Sequence, residues 1–171
     1  MTSGPKHILG VIGFSGNGKT TLLSNLIPEL IKRGKTVSTM KHTHHKFDMD
    51  KPGKDSYRHR EAGAKEVLLT SNNRWVLLHE LREDPAFDME TLIAKMSSVD
   101  ILLIEGFKSH PYAKLEVHRP STGKALLASK DDTIIGVATD EQIDGLATPQ
   151  IDLNDVGQVA DFIIAHISLD A

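Results

Sequence analysis

Cysteine is absent from the 171-residue chain, which excludes disulfides, thiolate metal sites and cysteine nucleophiles and agrees with a reducing compartment. Aromatic residues make up only 5%, with a single Trp, so few rings are available for a surface that stacks nucleobases. No apolar run is long enough to span a bilayer, and the N-terminal Met-Thr-Ser-Gly-Pro-Lys has no signal-peptide core. A soluble, cytoplasmic protein with no membrane partner is expected. Lys and Arg are missing altogether from Asp131 to Ala171, where nine acids stand. The net charge of −3 therefore conceals a basic part: from Lys41 to Arg60 there are six Lys or Arg and four His against three Asp. Such a segment is either a solvated loop of mixed charge or a partner for a small anion. A nucleic-acid surface is not expected of a chain that is acidic overall. The length suits one domain over residues 1–171 with a sizeable core.

What the chain does have is a glycine-rich loop, Gly13-Phe14-Ser15-Gly16-Asn17-Gly18-Lys19-Thr20. Two glycines five apart followed by Lys and Thr make a phosphate-binding loop, whose backbone N–H groups turn inward to cradle phosphate oxygens. Lys19 supplies a charge for the outer phosphates, and Thr20 offers a hydroxyl to Mg2+, a cation that prefers oxygen ligands. Thr21 follows in the first helical turn and belongs with the nucleotide-binding set. The apolar run His7-Ile8-Leu9-Gly10-Val11-Ile12 before the loop has the character of a buried parallel strand. After it, Leu22, Leu23, Leu26, Ile27, Leu30 and Ile31 recur on one face of a helix, whose N-terminus adds N–H groups and a positive dipole end. Pro28 should kink that helix, and Arg33-Gly34-Lys35 should end it. Strand, loop and helix in this order predict a P-loop NTPase-like α/β fold: a mostly parallel sheet with helices on both faces.

After a second strand, Thr36 to Met40, comes Lys41-His42-Thr43-His44-His45-Lys46-Phe47-Asp48-Met49-Asp50-Lys51-Pro52-Gly53-Lys54-Asp55-Ser56. It stands at the carboxyl end of a strand, where open α/β sheets bind ligands. One reading is a transition-metal site on His42, His44 and His45, although the spacing is not that of a known zinc module. Another is an anion-recognition loop with Lys41 and Lys54 as donors and Asp48, Asp50 or Asp55 as outer ligands of magnesium. A third is a structural loop with no ligand. Asp55 or Ser56 can cap a helix to about Gly63, and Arg58 or Arg60 is a candidate for a charge supplied to phosphoryl transfer.

Glu66 to Thr70 and Arg74 to His79 predict an antiparallel hairpin at the sheet edge about Asn72-Asn73. That edge is a possible dimer surface, with Trp75 more at home in the core. Phe87 to Met96 has helical spacing with Asp88 as cap. Val99 to Glu105 is a second buried strand delivering a carboxylate, as expected beside the magnesium of a phosphate loop. Gly106 permits close approach there, and Lys108 can reach an anion. Leu115-Glu116-Val117-His118-Arg119 alternates as an exposed strand would. Thr133 to Asp140 is a buried strand ending in an acid. Asp140 is either a turn residue or a reader of guanine, whose N1–H and N2–H2 donors one carboxylate accepts together. Asn154 or Asp155 caps a last helix.

Taken together, the phosphate loop, Lys41 to His45, Gly53-Lys54-Asp55-Ser56, Ala62-Gly63-Ala64 and Glu105-Gly106-Phe107-Lys108 resemble the molybdopterin-guanine dinucleotide biosynthesis protein B (MobB) family, from His7 to the final helix. The resemblance implies a GTP-binding adaptor with weak GTPase activity, usually a homodimer. Its partner would be the nucleotidyltransferase that attaches GMP to molybdopterin. By position it implies that residues 13–20 hold the GTP phosphates, that Thr20 and Glu105 serve Mg2+, and that His42, Lys54, Asp55 and Lys108 surround the cleft. A small-metabolite kinase and a metal-delivery GTPase using His42, His44 and His45 are the alternatives.

Overall fold

The computed structural model describes residues 4–43 and 47–169. The chain divides into two compact units, one running up to His42 and resuming at Ile93, the other Thr43–Leu92. The first carries a six-stranded parallel sheet. Its strands are β1 (His7–Ile12), β2 (Val37–Lys41), β5 (Ile101–Glu105), β6 (Lys114–His118), β7 (Ile134–Thr139) and β8 (Gln150–Asp152), in the spatial order β2-β5-β1-β6-β7-β8. Each strand pairs with its neighbours in parallel. All six carboxyl ends therefore fall along one edge, and the loop after β1 sits between those that follow β5 and β6.

Helices α1 (Lys19–Lys32) and α4 (Val156–Leu169) pack on one face of this sheet, where Leu22, Leu26, Leu30, Val159 and Ile163 meet Leu9, Val11, Ile101, Leu103, Leu115 and Val117. Gly136 on β7 lies under α4, and a side-chain carbon there would come within 2.7 Å of the Phe162 ring. On the other face, Ile12, Ile134 and Val137 are covered by Leu126, Leu127, Ala128, Ile143 and Leu146. α1 runs through Pro28 as one element. It ends as expected: the Gly34 N–H donates to the Ile31 carbonyl and the Lys35 N–H to that of Leu30, with Gly34 in the left-handed region that a glycine tolerates.

β6 corrects a sequence expectation. It is a central strand buried over its whole length, not an exposed one. The residues that make it look exposed, Lys114, Glu116 and His118, all point to the second face and keep at most 5% exposure. The polarity of Lys114 and Glu116 is answered internally, whereas the buried His118 Nδ1 has no hydrogen-bond partner among the described residues. Glu116 accepts the backbone N–H of Leu127 at 2.9 Å and of Ala128 at 2.8 Å, and Lys114 Nζ donates to Asp131 Oδ2 at 3.2 Å and to the Thr133 hydroxyl. β8 is a short strand that the sequence did not announce.

The second unit holds α2 (Asp55–Glu61) and the antiparallel pair β3 (Glu66–Thr70) and β4 (Trp75–His79), and α3 (Met89–Ala94) begins in it. The hairpin is present, but it forms a two-stranded sheet of its own, not an edge of the larger one. Trp75, expected in the core, is 67% exposed. Thr70 pairs with Trp75 and Leu68 with Leu77, so Trp75, Leu68 and Leu77 share one face. No helix among the described residues is long and apolar enough to cross a membrane.

Candidate functional site

The loop from Gly13 to Lys19 joins β1 to α1 at the carboxyl edge of the sheet, and its shape is set by backbone. Gly13 has φ 139°, and a side-chain carbon on it would lie 2.3 Å from the Val117 carbonyl oxygen of β6. No other residue fits there without moving one of two strands. Gly18, at φ 94°, is the N-terminal cap of α1. The first bond inside that helix runs from the Leu22 N–H to the Gly18 carbonyl, so the N–H groups of Lys19, Thr20 and Thr21 have no partner within it. α3 and α4 receive carboxylates at this position: Asp88 accepts the Thr91 N–H and Asp155 that of Gln158. α1 has no side-chain cap and no acid in its first turn. Its N-terminus is left to an outside acceptor, and positive charge is gathered around it.

Lys19 Nζ donates to the carbonyls of Gly13 and Phe14, both at 3.0 Å. Burial draws the Lys19 ammonium below its ordinary value; Glu105 opposes that shift, while Lys108 and Lys41 reinforce it. Glu105, at the end of β5, brings a carboxylate to the other side of the loop. The Thr20 hydroxyl donates to its Oε1 at 3.4 Å, and Lys41 Nζ lies 3.2 Å from the same oxygen. A hydroxyl and a carboxylate converging beside the loop are the hard oxygen donors that Mg2+ takes. Gly106 and Phe107 both turn left-handed, at φ 95° and 56°, and the Phe107 ring stands 4.2 Å from that of His42. Lys108 Nζ sits 3.7 Å from the centre of the Phe14 ring, a cation held over an aromatic face.

Of the residues singled out from sequence, Gly13, Phe14, Gly18, Lys19, Thr20, Lys41, His42, Glu105, Gly106 and Lys108 thus gather in the first unit around the loop, with Ser15, Gly16 and Thr21 on the same segment. Asn17 lies on that segment as well. It is fully buried, its amide donates to the Val117 carbonyl at 3.0 Å, and its Oδ1 lies 3.1 Å from the Thr122 hydroxyl. Its side chain ties the loop to β6. Lys54 and Asp55 belong to the second unit, at the start of α2. There Asp48 and Asp50 are engaged by Arg60, whose Nη2 lies 2.8 Å from Asp48 and Nε 3.3 Å from Asp50, while Nη1 reaches Glu80 at 2.9 Å. Held by three carboxylates, Arg60 is a clamp within its own unit and not a free cation. His44 and His45 lie outside the described residues. Among the described residues no group of three His, Cys, Asp or Glu is placed to hold a metal ion.

Asp140 closes β7 at the same edge, and Arg119, which follows β6, donates to it through Nη1. Sequence reading passed over Arg119 because β6 looked like an exposed strand. Its only local signal was position, one residue beyond a strand adjacent to β1.

Comparison with known proteins places this arrangement in a family. Residues 8–140 match the family model MobB, Molybdopterin guanine dinucleotide synthesis protein B. Two relatives described as molybdopterin-guanine dinucleotide biosynthesis adapter proteins align over most of the chain. The one from Haemophilus influenzae is 40% identical over 91% of this chain and 86% of its own length, and the one from Escherichia coli 41% identical over 92% and 91%. Among solved structures, a MobB protein homolog from Bacillus stearothermophilus superposes with a TM-score of 0.68 at 20% identity, covering 95% of this chain and 98% of its own. Bacillus subtilis MobB does so at 0.66 and 25% identity, covering 93% and 96%; these likenesses carry the fold. By the family model and by relatives aligned over nearly their whole length, the chain belongs to the MobB family.

Proposed function

We propose that the protein binds GTP with Mg2+ at residues 13–20 and works as an adaptor in molybdopterin guanine dinucleotide synthesis. In this role it is a cytoplasmic homodimer that assists the nucleotidyltransferase joining GMP to molybdopterin, and hydrolyses GTP only weakly. The observation that carries the nucleotide part is the convergence of Lys19, Thr20 and Glu105 on an α1 N-terminus that has no acceptor of its own. The names of the relatives supply the pathway. Thr20 and Glu105 would hold the ion, which neutralises phosphate charge when bound. Lys19 would turn from the carbonyls of Gly13 and Phe14 to the outer phosphates, and the N–H groups of Lys19, Thr20 and Thr21 would meet phosphate oxygens. Lys41, already beside Glu105, and Lys108, over Phe14, would keep the cleft positive. The exposed Leu68, Trp75 and Leu77 on one hairpin face suit burial against a second copy.

Calorimetric titration with GTP and with ATP, magnesium present, tests the reading. GTP is expected to bind more tightly than ATP, and Lys19→Ala to lose at least a hundredfold in affinity. Binding unchanged by Lys19→Ala would refute the phosphate site, and equal or tighter ATP binding would refute guanine. Added to nucleotidyltransferase and molybdopterin, the protein should raise the yield of dinucleotide; no effect at any ratio would remove the adaptor role.

A further inference from the structure

Arg119 and Asp140 stand at the carboxyl edge of the sheet on the side of β1 away from Glu105. The guanidinium touches two things at once. A side-chain carbon at Gly18 would lie 3.6 Å from Arg119 Nε and 3.7 Å from Nη2, so the group lies against the phosphate loop where α1 begins. Through Nη1 it also donates to Asp140 Oδ2. The second carboxylate oxygen, Asp140 Oδ1, is buried and has no hydrogen-bond partner, although the side chain as a whole keeps 19% exposure. A carboxylate left with one oxygen unanswered gains from a ligand that brings two donors. Beside it, Glu141, Gln142 and Asp152 line a crevice at the ends of β7 and β8, a surface that seeks N–H donors, unlike the lysines around the loop. Two strand spacings, roughly 10 Å, separate β7 from β1. A nucleotide whose phosphates lie on the loop can lay its base along that edge.

The backbone around Arg119 is not free to follow a ligand. The Val117 carbonyl on one side and the Thr122 hydroxyl on the other are both bonded to the buried Asn17 of the loop. Whatever moves here is the Arg119 side chain. The geometry points to Arg119 as a positioning residue that couples base recognition to phosphate binding, an inference that rests on the guanine-nucleotide reading above. In the free protein it latches Asp140. Guanine, with N1–H and N2–H2 side by side, takes both carboxylate oxygens and displaces it. The released guanidinium, still anchored beside Gly18, then gives its charge to the phosphates. Arginine suits the exchange because it is always charged and bonds carboxylate and phosphate alike.

The latch predicts opposite shifts for two ligands. With the full chain and magnesium, guanosine binding is followed by NMR titration and GTP binding by calorimetry. In Arg119→Met, guanosine no longer competes for Asp140 and should bind at least threefold more tightly, whereas GTP should bind about tenfold more weakly. Arg119→Lys should recover much of the GTP affinity. Asp140→Asn, which replaces one acceptor by a donor, should prefer XTP, whose xanthine carries a carbonyl where guanine has its amino group. Shifts in the same direction, no gain in guanosine binding, or an Asp140→Asn protein that still prefers GTP to XTP would overturn the latch. If wild-type GTP binding depends on Lys19 while these variants fail to split, the latch alone is wrong. Absence of Lys19-dependent binding in the wild type overturns the nucleotide reading with it.

Discussion

In the unit built on the six-stranded sheet, Val11, Leu26, Leu30, Ile101, Leu103 and Ile163 are completely buried, at 0% exposure. In the unit Thr43–Leu92, the only buried hydrophobics among the described residues are Val67 and Met89, while Leu68, Trp75 and Leu77 stay 61%, 67% and 46% exposed. Charge does more of the organising there. Arg60 gathers Asp48, Asp50 and Glu80, Lys65 pairs with Asp84 and His79 with Glu66, and Arg82 donates to the carbonyls of Arg60 and Ala64. Apolar burial is not subject to ionic screening, whereas exposed ion pairs are screened and individually weak. The first unit sets the glycine loop on a densely packed apolar core. The second resembles a surface built to be completed or rearranged.

The sharpest way to break this contrast is to remove one leucine from each unit. Leu26→Ala should lower the unfolding free energy by about 2–5 kcal/mol in urea titration, and Leu68→Thr, in protein dilute enough to be monomeric, should stay within about 0.5 kcal/mol; equal losses would abolish the distinction. Next in size is Gly13→Ala, which sets a methyl group 2.3 Å from the Val117 carbonyl. It should cost more than about 1 kcal/mol and lower GTP affinity, and a variant with wild-type melting and binding would show that the strand and loop can part. Arg60→Gln should speed amide exchange severalfold in β3 and β4 and leave β1 and β5 unchanged. Added salt should do the same to the wild type, and uniform exchange across both sheets would contradict it.

The smallest effect is a change of pH dependence. Hydrogen bonds from Lys6, then from the Thr36 N–H and hydroxyl, hold the Asp100 carboxyl well below its ordinary 3.8. A group more acidic when folded gives its full stabilisation above that value and loses it as pH falls through the folded one. Asp100→Asn should therefore be less stable than wild type at about pH 6 and converge with it towards about pH 2. A pH-independent gap would assign the loss to packing.

The strand, glycine loop and helix were legible because the loop motif constrains residue type and spacing together, and Glu105 because an apolar strand runs into it and ends beside the loop, where the Thr20 hydroxyl reaches its carboxylate. Helix caps at Asp88 and Asp155 were legible for a local reason: each carboxylate bonds an N–H three residues on. β6 was misjudged because alternation does not distinguish water from an internal partner. Glu116 is answered by N–H groups eleven and twelve residues away, a relation no local pattern contains. Asn17 occupies a position that the loop motif leaves open, so its burial against β6 left no mark in the sequence. Trp75 shows the converse: size and hydrophobicity favour the interior, yet a two-stranded sheet has too little interior to offer.

One detail of the loop bears on the thermodynamics of whatever binds there. The Lys19 ammonium is fixed between two carbonyls at 3.0 Å before any ligand arrives, so most of the rotational freedom of a long side chain was surrendered when the chain folded. A phosphate bound there, as proposed, would exchange neutral acceptors for charged ones around an ammonium already in place. The heat of that exchange is thus set against a smaller loss of disorder than a freely rotating lysine would impose.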